Sequence, residues 1–330
     1  MRIENLLQIT DGILQNIPSV QEIESIKIDP LKVKRGDLFL DIKNSFKNQV
    51  VALENGAYAI ISENISQIMD NEIAWIEVDS LRLACVKLSR YEFNKKNGKI
   101  IYIDDIQKEI LQSIVRHKEF TILTSNVYQS LVTIRQSGEN NKFICSDERL
   151  TYSIDSTCST LKECFNINIL KSYSPFFSSF SSGKNFYNNI KIPNIFIKNL
   201  CSVIEYLKEN KIDYNLNNLT LKEHFSSSFV DFNLNKKEFG QSSKVIIFEK
   251  DMDLINLEIN YLEKFSNELL ICIPKRYNKY INIKNMSIFS NKDELLNILK
   301  NNFRYALILG ERVFFKDLFF KTSSKQMSLF

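Results

Sequence analysis

The chain is poor in several features that usually indicate a function. Its 330 residues include two histidines, and none of its six cysteines forms a CxxC pair. Closed zinc sites normally show paired short spacings, so buried thiols explain Cys158 and Cys164 better than a metal site with His117. No apolar run approaches the roughly 20 residues of a membrane span, and the start of the chain lacks a secretory signal. These absences predict a cytoplasmic protein with no metal, no cofactor and no membrane partner.

Clustered positive charge is also missing. The net charge is 43 − 39 = +4, and the Lys and Arg residues are spread along the chain without a long basic block. Direct binding to nucleic acid normally needs such a cluster, so we expect none here. The hydrophobic content of 44% is ordinary for a soluble globular protein, and the length allows two or three domains.

The clearest local pattern lies in residues 32–63. It predicts a turn over 34–37, a strand over 38–42, a helix over 49–55 and a second strand over 57–62. Gly36 and Gly56 separate these elements, and each stands where a chain needs a positive φ or a helix end. The surrounding strands at 24–29 and 74–78, with a helix capped by Ser80, complete a β-β-α-β-β-α order over 1–97.

At this point the sequence resembles a known family. Asp29, the run Lys32-Val-Lys-x-Gly-Asp-Leu-Phe39 and the run Ala52-Leu-Glu-Asn-Gly-Ala57 are similar to the amino-terminal domain of the Mur ligases. The nearest type is MurF, which adds D-alanyl-D-alanine to the UDP-muramoyl tripeptide. The resemblance implies three domains: a substrate-nucleotide domain, a P-loop ATPase domain and a Rossmann-like carboxy-terminal domain.

We therefore predict an α/β fold of Mur-ligase-like, three-unit architecture with a reduced central domain. The predicted boundaries are 1–97 for the MurF-like amino-terminal domain, 98–242 for a degenerate central domain, 243–320 for a Rossmann-like domain and 321–330 for a flexible tail. Residues 136–187 are predicted to be short and irregular, where the family has much of its ATPase domain. The Phe side chains there are expected to pack over a sheet, with a partner-binding patch as the alternative.

Residues that the family uses for chemistry are replaced. The predicted strand over 99–104 ends at Asp104, and the run Asp104-Asp-Ile-Gln-Lys-Glu109 stands where a P-loop would begin. No glycine occurs between Gly98 and Gly138. A P-loop needs glycines whose N–H groups surround phosphate, so this stretch predicts no P-loop. Lys108 is expected to be a surface lysine rather than a phosphate ligand.

Further departures follow along the chain. Pro30-Leu31 stands where the family has Ser-Arg, and the loop Lys43–Asn48 is short, which puts nucleotide-sugar binding in doubt. Pro193–Phe196 replaces the family's Gly-Arg-His-Asn, and of that segment only Asn199 remains. His224 is expected to have a surface or capping role, since the sequence indicates no residue that would act with it in catalysis.

Strands and helices alternate between Ser243 and Phe320, which predicts a parallel, Rossmann-like sheet. The helix expected over 252–265 has Leu254, Leu257, Tyr261 and Phe265 as its apolar stripe. There is no GxGxxG motif, so no dinucleotide is implied.

The leading functional hypothesis is a bacterial pseudoenzyme that binds a protein partner as a scaffold or regulator linked to peptidoglycan precursor synthesis. One rival is an active MurF-type, ATP-dependent ligase. Another comes from Gln326, Met327, Ser328, Leu329 and Phe330, which resemble the Gln-Leu-Ser/Asp-Leu-Phe motif that grips the DNA sliding clamp. Leu329 and Phe330 would fill an apolar cleft and Gln326 would bond at its rim.

Overall fold

The computed structural model describes residues 1–116, 119–170, 172–281, 283, 285–313 and 315. They form two compact units. The first contains residues 1–108 and 116–161, and the second contains residues 109–115 with the described residues from 162 onward. The predicted three-domain boundaries remain predictions, and the tail 321–330 lies outside the described residues.

The first unit begins with a five-stranded sheet. Its strands and flanking helices are α1 (Ile3–Thr10), β1 (Ile13–Leu14), β2 (Ile26–Lys27), β3 (Leu38–Leu40), α2 (Phe46–Glu54), β4 (Ala59–Ser62), β5 (Ala74–Glu77) and α3 (Leu81–Lys95). The strand order is β1-β5-β4-β3-β2, parallel throughout except for β1. Strands β3 to β5 are almost wholly apolar and buried, as a sheet covered on both faces requires.

Two glycines position the turns of this sheet. Gly36 has φ 93° and Gly56 has φ 94°, which confirms the expected positive φ at both. The Gly36 N–H donates to the Gly56 carbonyl at 3.2 Å, so the two turns support each other. Asp37 closes the 34–37 turn by accepting the Lys34 N–H at 2.9 Å. The predicted strand over 24–29 is wrong in length, since only Ile26–Lys27 pairs with β3.

A second sheet of the first unit is entirely parallel. Its elements are β6 (Lys99–Tyr102), α4 (Asp105–Ile114), β7 (Thr121–Ile122), α5 (Val127–Gln136), β8 (Lys142–Cys145), α6 (Glu148–Ile154) and β9 (Ser159–Thr160), with strand order β7-β8-β6-β9. The boundary between the units falls within α4, after Lys108.

The second unit contains two more sheets. A small antiparallel sheet is formed by β10 (Ile167–Ile169), β11 (Ser178–Ser182) and β12 (Asn185–Ile190). After α7 (Ile197–Glu209) come β13 (Ser226–Val230), β14 (Lys244–Glu249), α8 (Ile255–Leu262), β15 (Leu269–Pro274), β16 (Met286–Phe289), α9 (Lys292–Ile298) and β17 (Tyr305–Leu309). Their order is β13-β14-β17-β15-β16, parallel except for β13, which confirms the Rossmann-like prediction.

The prediction of irregular chain over 136–187 is wrong, because β8, α6 and β9 to β11 lie there and β12 begins there. Strands β11 and β12 consist largely of Ser, Asn and aromatic residues, whose pattern carries little hydrophobic alternation. Phe176 and Phe180 are buried. Phe176 contacts the rings of Phe225 and Phe229, so packing, rather than a partner-binding patch, accounts for it.

The stripe predicted for α8 is also wrong at one position. Leu257 is 45% exposed, and the buried face is formed by Ile255, Glu258, Ile259, Tyr261 and Leu262. A glutamate therefore lies on the core side of this helix. In the part of the chain that the structure describes, no helix has the length and apolar character needed to cross a membrane.

Candidate functional site

The carboxyl edge of the β7-β8-β6-β9 sheet is where a nucleotide would bind in a parallel α/β sheet. Only Ile103 and Asp104 separate β6 from α4. The Asp104 carboxylate accepts the Gln107 N–H at 2.7 Å, and the Gln107 side-chain oxygen accepts the Asp104 N–H at 3.1 Å. This is a reciprocal capping box. It occupies backbone N–H groups that would otherwise be able to donate hydrogen bonds to a bound phosphate.

Lys108, on the first turn of α4, is held by its neighbours. Its Nζ lies 2.5 Å from Asp105 Oδ1 and 2.7 Å from Ser146 Oγ. The side chain is 21% exposed, so the expectation of a surface lysine is wrong. The ammonium group is instead half-buried in an ion pair within the first unit.

The other two helices at this edge also begin with side-chain caps. Asn126 accepts the N–H groups of Tyr128 and Gln129 at the start of α5. Asp147 accepts the Leu150 N–H at 2.9 Å at the start of α6. Each cap satisfies backbone donors locally, and the edge as a whole gains negative charge.

The charge at this edge acts on Tyr102, the last residue of β6. Burial raises the pKa of its hydroxyl above the usual value, and the nearby carboxylates of Glu148, Asp104 and Asp105 raise it further. A group of like charges that resists one more negative charge on a phenol would also resist phosphate.

The first sheet of this unit shows the same arrangement. Asp41 follows β3, is fully buried, and accepts the Ser45 N–H at 2.9 Å and the Gln49 amide at 2.8 Å. Glu63 follows β4 and accepts the Leu81 N–H at 2.7 Å at the start of α3. Carboxylates of the chain thus lie at the starts of both helices, α2 and α3.

The parallel sheet of the second unit has a crevice at its carboxyl edge. It has a volume of about 590 Å³ and is lined by the ends of β15, β16 and β17, with Phe289, Leu309 and Phe315 as apolar walls. Lys275, Arg276 and Lys292 add positive charge. Its size is within the range of small-molecule sites.

A cluster of buried ionisable groups lies at the end of β14, and we call it the His224 cluster: Glu109, His224, Glu249 and Glu258. His224 is 1% exposed, so its expected surface role is wrong. Its Nδ1 lies 2.7 Å from Glu249 Oε1, while its Nε2 has no hydrogen-bond partner among the described residues. Glu249 and Glu258 are fully buried.

Three of these groups have raised pKa values. Burial alone would lower the pKa of His224, but the hydrogen bond and charge of Glu249 outweigh it and raise the pKa. Burial raises the pKa of Glu109, although N–H donors oppose the shift. Burial, followed by the Glu249 carboxylate, raises the pKa of Glu258 well above its usual value. A proton on Glu258 would let it donate to Glu249.

Sequence reasoning missed this cluster for identifiable reasons. Glu258 falls three residues after Ile255 and four before Leu262, so helical periodicity could have placed it on the buried face. Glu109 and His224 are 115 residues apart, and nothing local connects them.

Asn199 lies on α7, where it is half-buried. The motif Gln326–Phe330 lies outside the described residues. Among the described residues, no group of three or more His, Cys, Asp or Glu side chains is placed to hold a metal ion.

Comparison with known proteins gives one kind of match. No protein-family model matches this chain, and no curated protein matches it. Among solved structures, the MurF ligase from Thermotoga maritima in complex with ADP has a TM-score of 0.58 at 12% identity, covering 88% of this chain and 94% of that one. A MurF crystal structure from Acinetobacter baumannii also has a TM-score of 0.58 at 12% identity, covering 96% and 97%.

A second MurF structure from Acinetobacter baumannii has a TM-score of 0.57, again at 12% identity and with the same coverage of both chains. The likeness spans almost the whole of each protein, while identity at this level speaks only for the backbone arrangement. The α/β units with parallel sheets agree with it. This chain therefore has a Mur ligase-like fold.

Proposed function

We propose that this protein is a catalytically inactive Mur ligase-like chain that works by binding a protein partner, as a scaffold or regulator linked to peptidoglycan precursor synthesis. The observation that carries the proposal is the capping box of α4. Its Asp104 carboxylate accepts the Gln107 N–H at 2.7 Å, at the helix start where a P-loop would receive phosphate.

Electrostatics favours the same conclusion. A phosphate oxygen about 4 Å from an Asp104 carboxylate oxygen would meet a repulsion of about 4 kcal/mol at an effective dielectric constant of 20. Lys108 is paired with Asp105 at 2.5 Å, so its charge is already partly neutralised. Tight ATP binding would require the capping box and this ion pair to rearrange together.

The test is isothermal titration calorimetry of the full chain with Mg-ATP. We expect no binding heat at millimolar nucleotide, for the wild type and for Lys108→Ala alike. Lys142→Ala is the matched control, since Lys142 lies at the start of β8 in the same sheet. A micromolar Kd, or ATP turnover lost in Lys108→Ala but kept in Lys142→Ala, would overturn the proposal.

The rival is an active MurF-type ligase, and the near-complete coverage of MurF structures is the observation in its favour. A retained fold does not by itself carry the activity. The two readings differ in one assay: an active ligase hydrolyses ATP when offered a UDP-muramoyl tripeptide and D-alanyl-D-alanine. We expect no phosphate release above that of the Asp104→Asn variant, in which the cap is kept and one charge is removed.

A second candidate function rests on the motif Gln326-Met-Ser-Leu-Phe330. In this proposal the chain is an accessory protein of the DNA sliding clamp, with Leu329 and Phe330 as apolar anchors. The full chain should bind the clamp of its own organism with micromolar Kd. Leu329→Ala with Phe330→Ala should abolish binding, while Ser328→Ala is the control. No binding at about 100 μM, far above that Kd, contradicts it.

A further inference from the structure

The segment Lys222–Phe225 is held in the second unit by two buried carboxylates. Glu109 on α4 accepts three successive N–H groups, those of Lys222, Glu223 and His224. Glu249 at the end of β14 accepts the Phe225 N–H at 3.0 Å and contacts the His224 ring. The segment therefore has its backbone fixed from two sides, by α4 and by β14.

The backbone of this segment is strained where it enters β13. Phe225 has φ 45°, in the left-handed region that a bulky aromatic residue rarely adopts. Its ring is buried and contacts the rings of Phe196 and Tyr261, so the side chain cannot leave without disturbing the core. Such strain persists only where surrounding contacts enforce it, and here they include the Glu249 hydrogen bond.

Behind Glu249 lies a second buried carboxyl, that of Glu258 on α8. Both of its oxygens lack a hydrogen-bond partner among the described residues. Two buried carboxyl groups side by side cannot both be charged at low cost, so one of them retains a proton. With the proton on Glu258, Glu249 remains an acceptor for the His224 ring and for the Phe225 N–H.

We propose that His224, Glu249 and Glu258 form a proton-controlled latch that holds the strained Lys222–Phe225 segment onto β14. The latch is closed when His224 and Glu258 both hold their protons. Loss of a proton from His224 or Glu258 leaves an uncompensated negative charge in a buried site, and the latch then opens. Opening frees the N–H groups of residues 222–225 from Glu109 and Glu249, while the ring of Phe225 stays in the core.

The charged and titratable groups that face the latch come from every element packed against it. Among the described residues, and apart from the latch residues themselves, they are Glu109 on α4, Glu223 beside His224, and Lys250 and Asp251 after β14. Acidic groups outnumber the single lysine, and Lys250 is itself paired with Glu223. Deprotonation therefore adds to a negative surplus, which sets the direction: the latch closes at lower pH and opens as pH rises.

The pKa directions agree with this sign. The folded-state pKa values of His224 and Glu258 are both raised. A group with a raised pKa contributes stability that is complete below its unfolded pKa and is lost as pH rises through its folded pKa. Each proton lost in this way increases the opening constant by up to about tenfold per pH unit.

Amide hydrogen exchange of residues 223–225 tests the latch, because their N–H groups are the ones that the carboxylates hold. After correction for intrinsic exchange, the opening constant of the wild type should rise by tenfold or more as the pH is raised above about 6.5, the ordinary pKa of histidine. Glu258→Gln mimics the protonated carboxyl and should flatten this rise. Glu263→Gln, at the exposed end of the same helix, is the matched control and should behave like the wild type.

Identical pH profiles for wild type, Glu258→Gln and Glu263→Gln would overturn the proposal. If Glu258→Gln does not fold, NMR titration of His224 in a chain that keeps Glu258 still decides the matter. The chain has only two histidines, so His117→Asn leaves a single imidazole signal. We expect it to titrate above the ordinary value of about 6.5; titration at or below that value removes the latch.

Discussion

Replacement of Gly56 by alanine is the sharpest test of how the first unit is built. Gly56 ends the turn after α2 with φ 94°, a conformation that costs an alanine about 1–3 kcal/mol. An added Cβ would also lie 3.0 Å from the Arg35 Cα and 3.2 Å from the Arg35 nitrogen. Backbone atoms cannot move aside as a side chain can, so a further 1 kcal/mol or so is expected from this contact.

Two other glycines provide matched controls. Gly36 has nearly the same φ, 93°, but the three atoms nearest to its added Cβ all belong to the side chain of Glu24, at 3.0 to 3.3 Å. Gly36→Ala should therefore show the backbone strain with little of the contact cost. At Gly138 an added Cβ meets nothing within 4 Å, and its φ is not positive, so Gly138→Ala should be neutral or slightly stabilising.

Trp75 gives an assay that reports on this unit alone. It is the only tryptophan of the chain, it is fully buried, and its indole N–H donates to the Asp70 carbonyl at 2.7 Å. Its fluorescence during thermal unfolding should rank the variants as Gly56→Ala least stable, then Gly36→Ala, then Gly138→Ala. Each kcal/mol corresponds to about 2–4 °C in Tm for a unit of this size. Equal transition temperatures for the three variants would refute the reasoning.

Two further outcomes follow from buried groups. Arg135→Met should destabilise the first unit by about 3–5 kcal/mol in the Trp75 assay, because it leaves the fully buried Glu92 carboxylate without its partner at 2.5 Å. The double variant Arg135→Met with Glu92→Met should recover most of this stability. Additive losses in the double variant would contradict the pairing. Burial raises the pKa of the Cys85 and Cys272 thiols to about 12, so a thiol reagent followed by mass spectrometry should modify the half-buried Cys158 first. Faster labelling of Cys85 or Cys272 in the native protein would contradict their burial.

Much of the fold could be predicted from local pattern. Strands β14 and β17 are short apolar runs bounded by polar residues, in agreement with the strand–helix alternation predicted between Ser243 and Phe320. The cap of α3 was also predictable, since Ser80 accepts the Leu83 N–H at 3.3 Å. These features depend on residues within a few positions of each other, and helix and strand periodicity records such relations directly.

The elements that prediction missed depend on partners far along the chain. Strand β12 has the sequence Asn-Phe-Tyr-Asn-Asn-Ile, and only its pairing with β11 makes it a strand. Leu257 was predicted to be a core residue, yet it is 45% exposed. The buried face of α8 is instead the one that carries Ile255 and Glu258. The His224 cluster draws on residues 109, 224, 249 and 258, which no local pattern unites.

The candidate nucleotide site shows that the identity of a residue does not by itself decide its role. Asp104 and Asp105 are plain in the sequence, and a carboxylate after a parallel strand is equally suited to bind a metal ion or to cap a helix. The geometry gives Asp104 the capping role and gives Asp105 an ion pair with Lys108.

The same solution recurs at Asp41, Glu63 and Asp147, which accept helix-start N–H groups after three other strands. A capped helix start is worth about 1 kcal/mol to stability, whereas an open one is an anion site that needs its ligand. A chain that satisfies these donors with its own side chains keeps the stability of the fold without a bound phosphate.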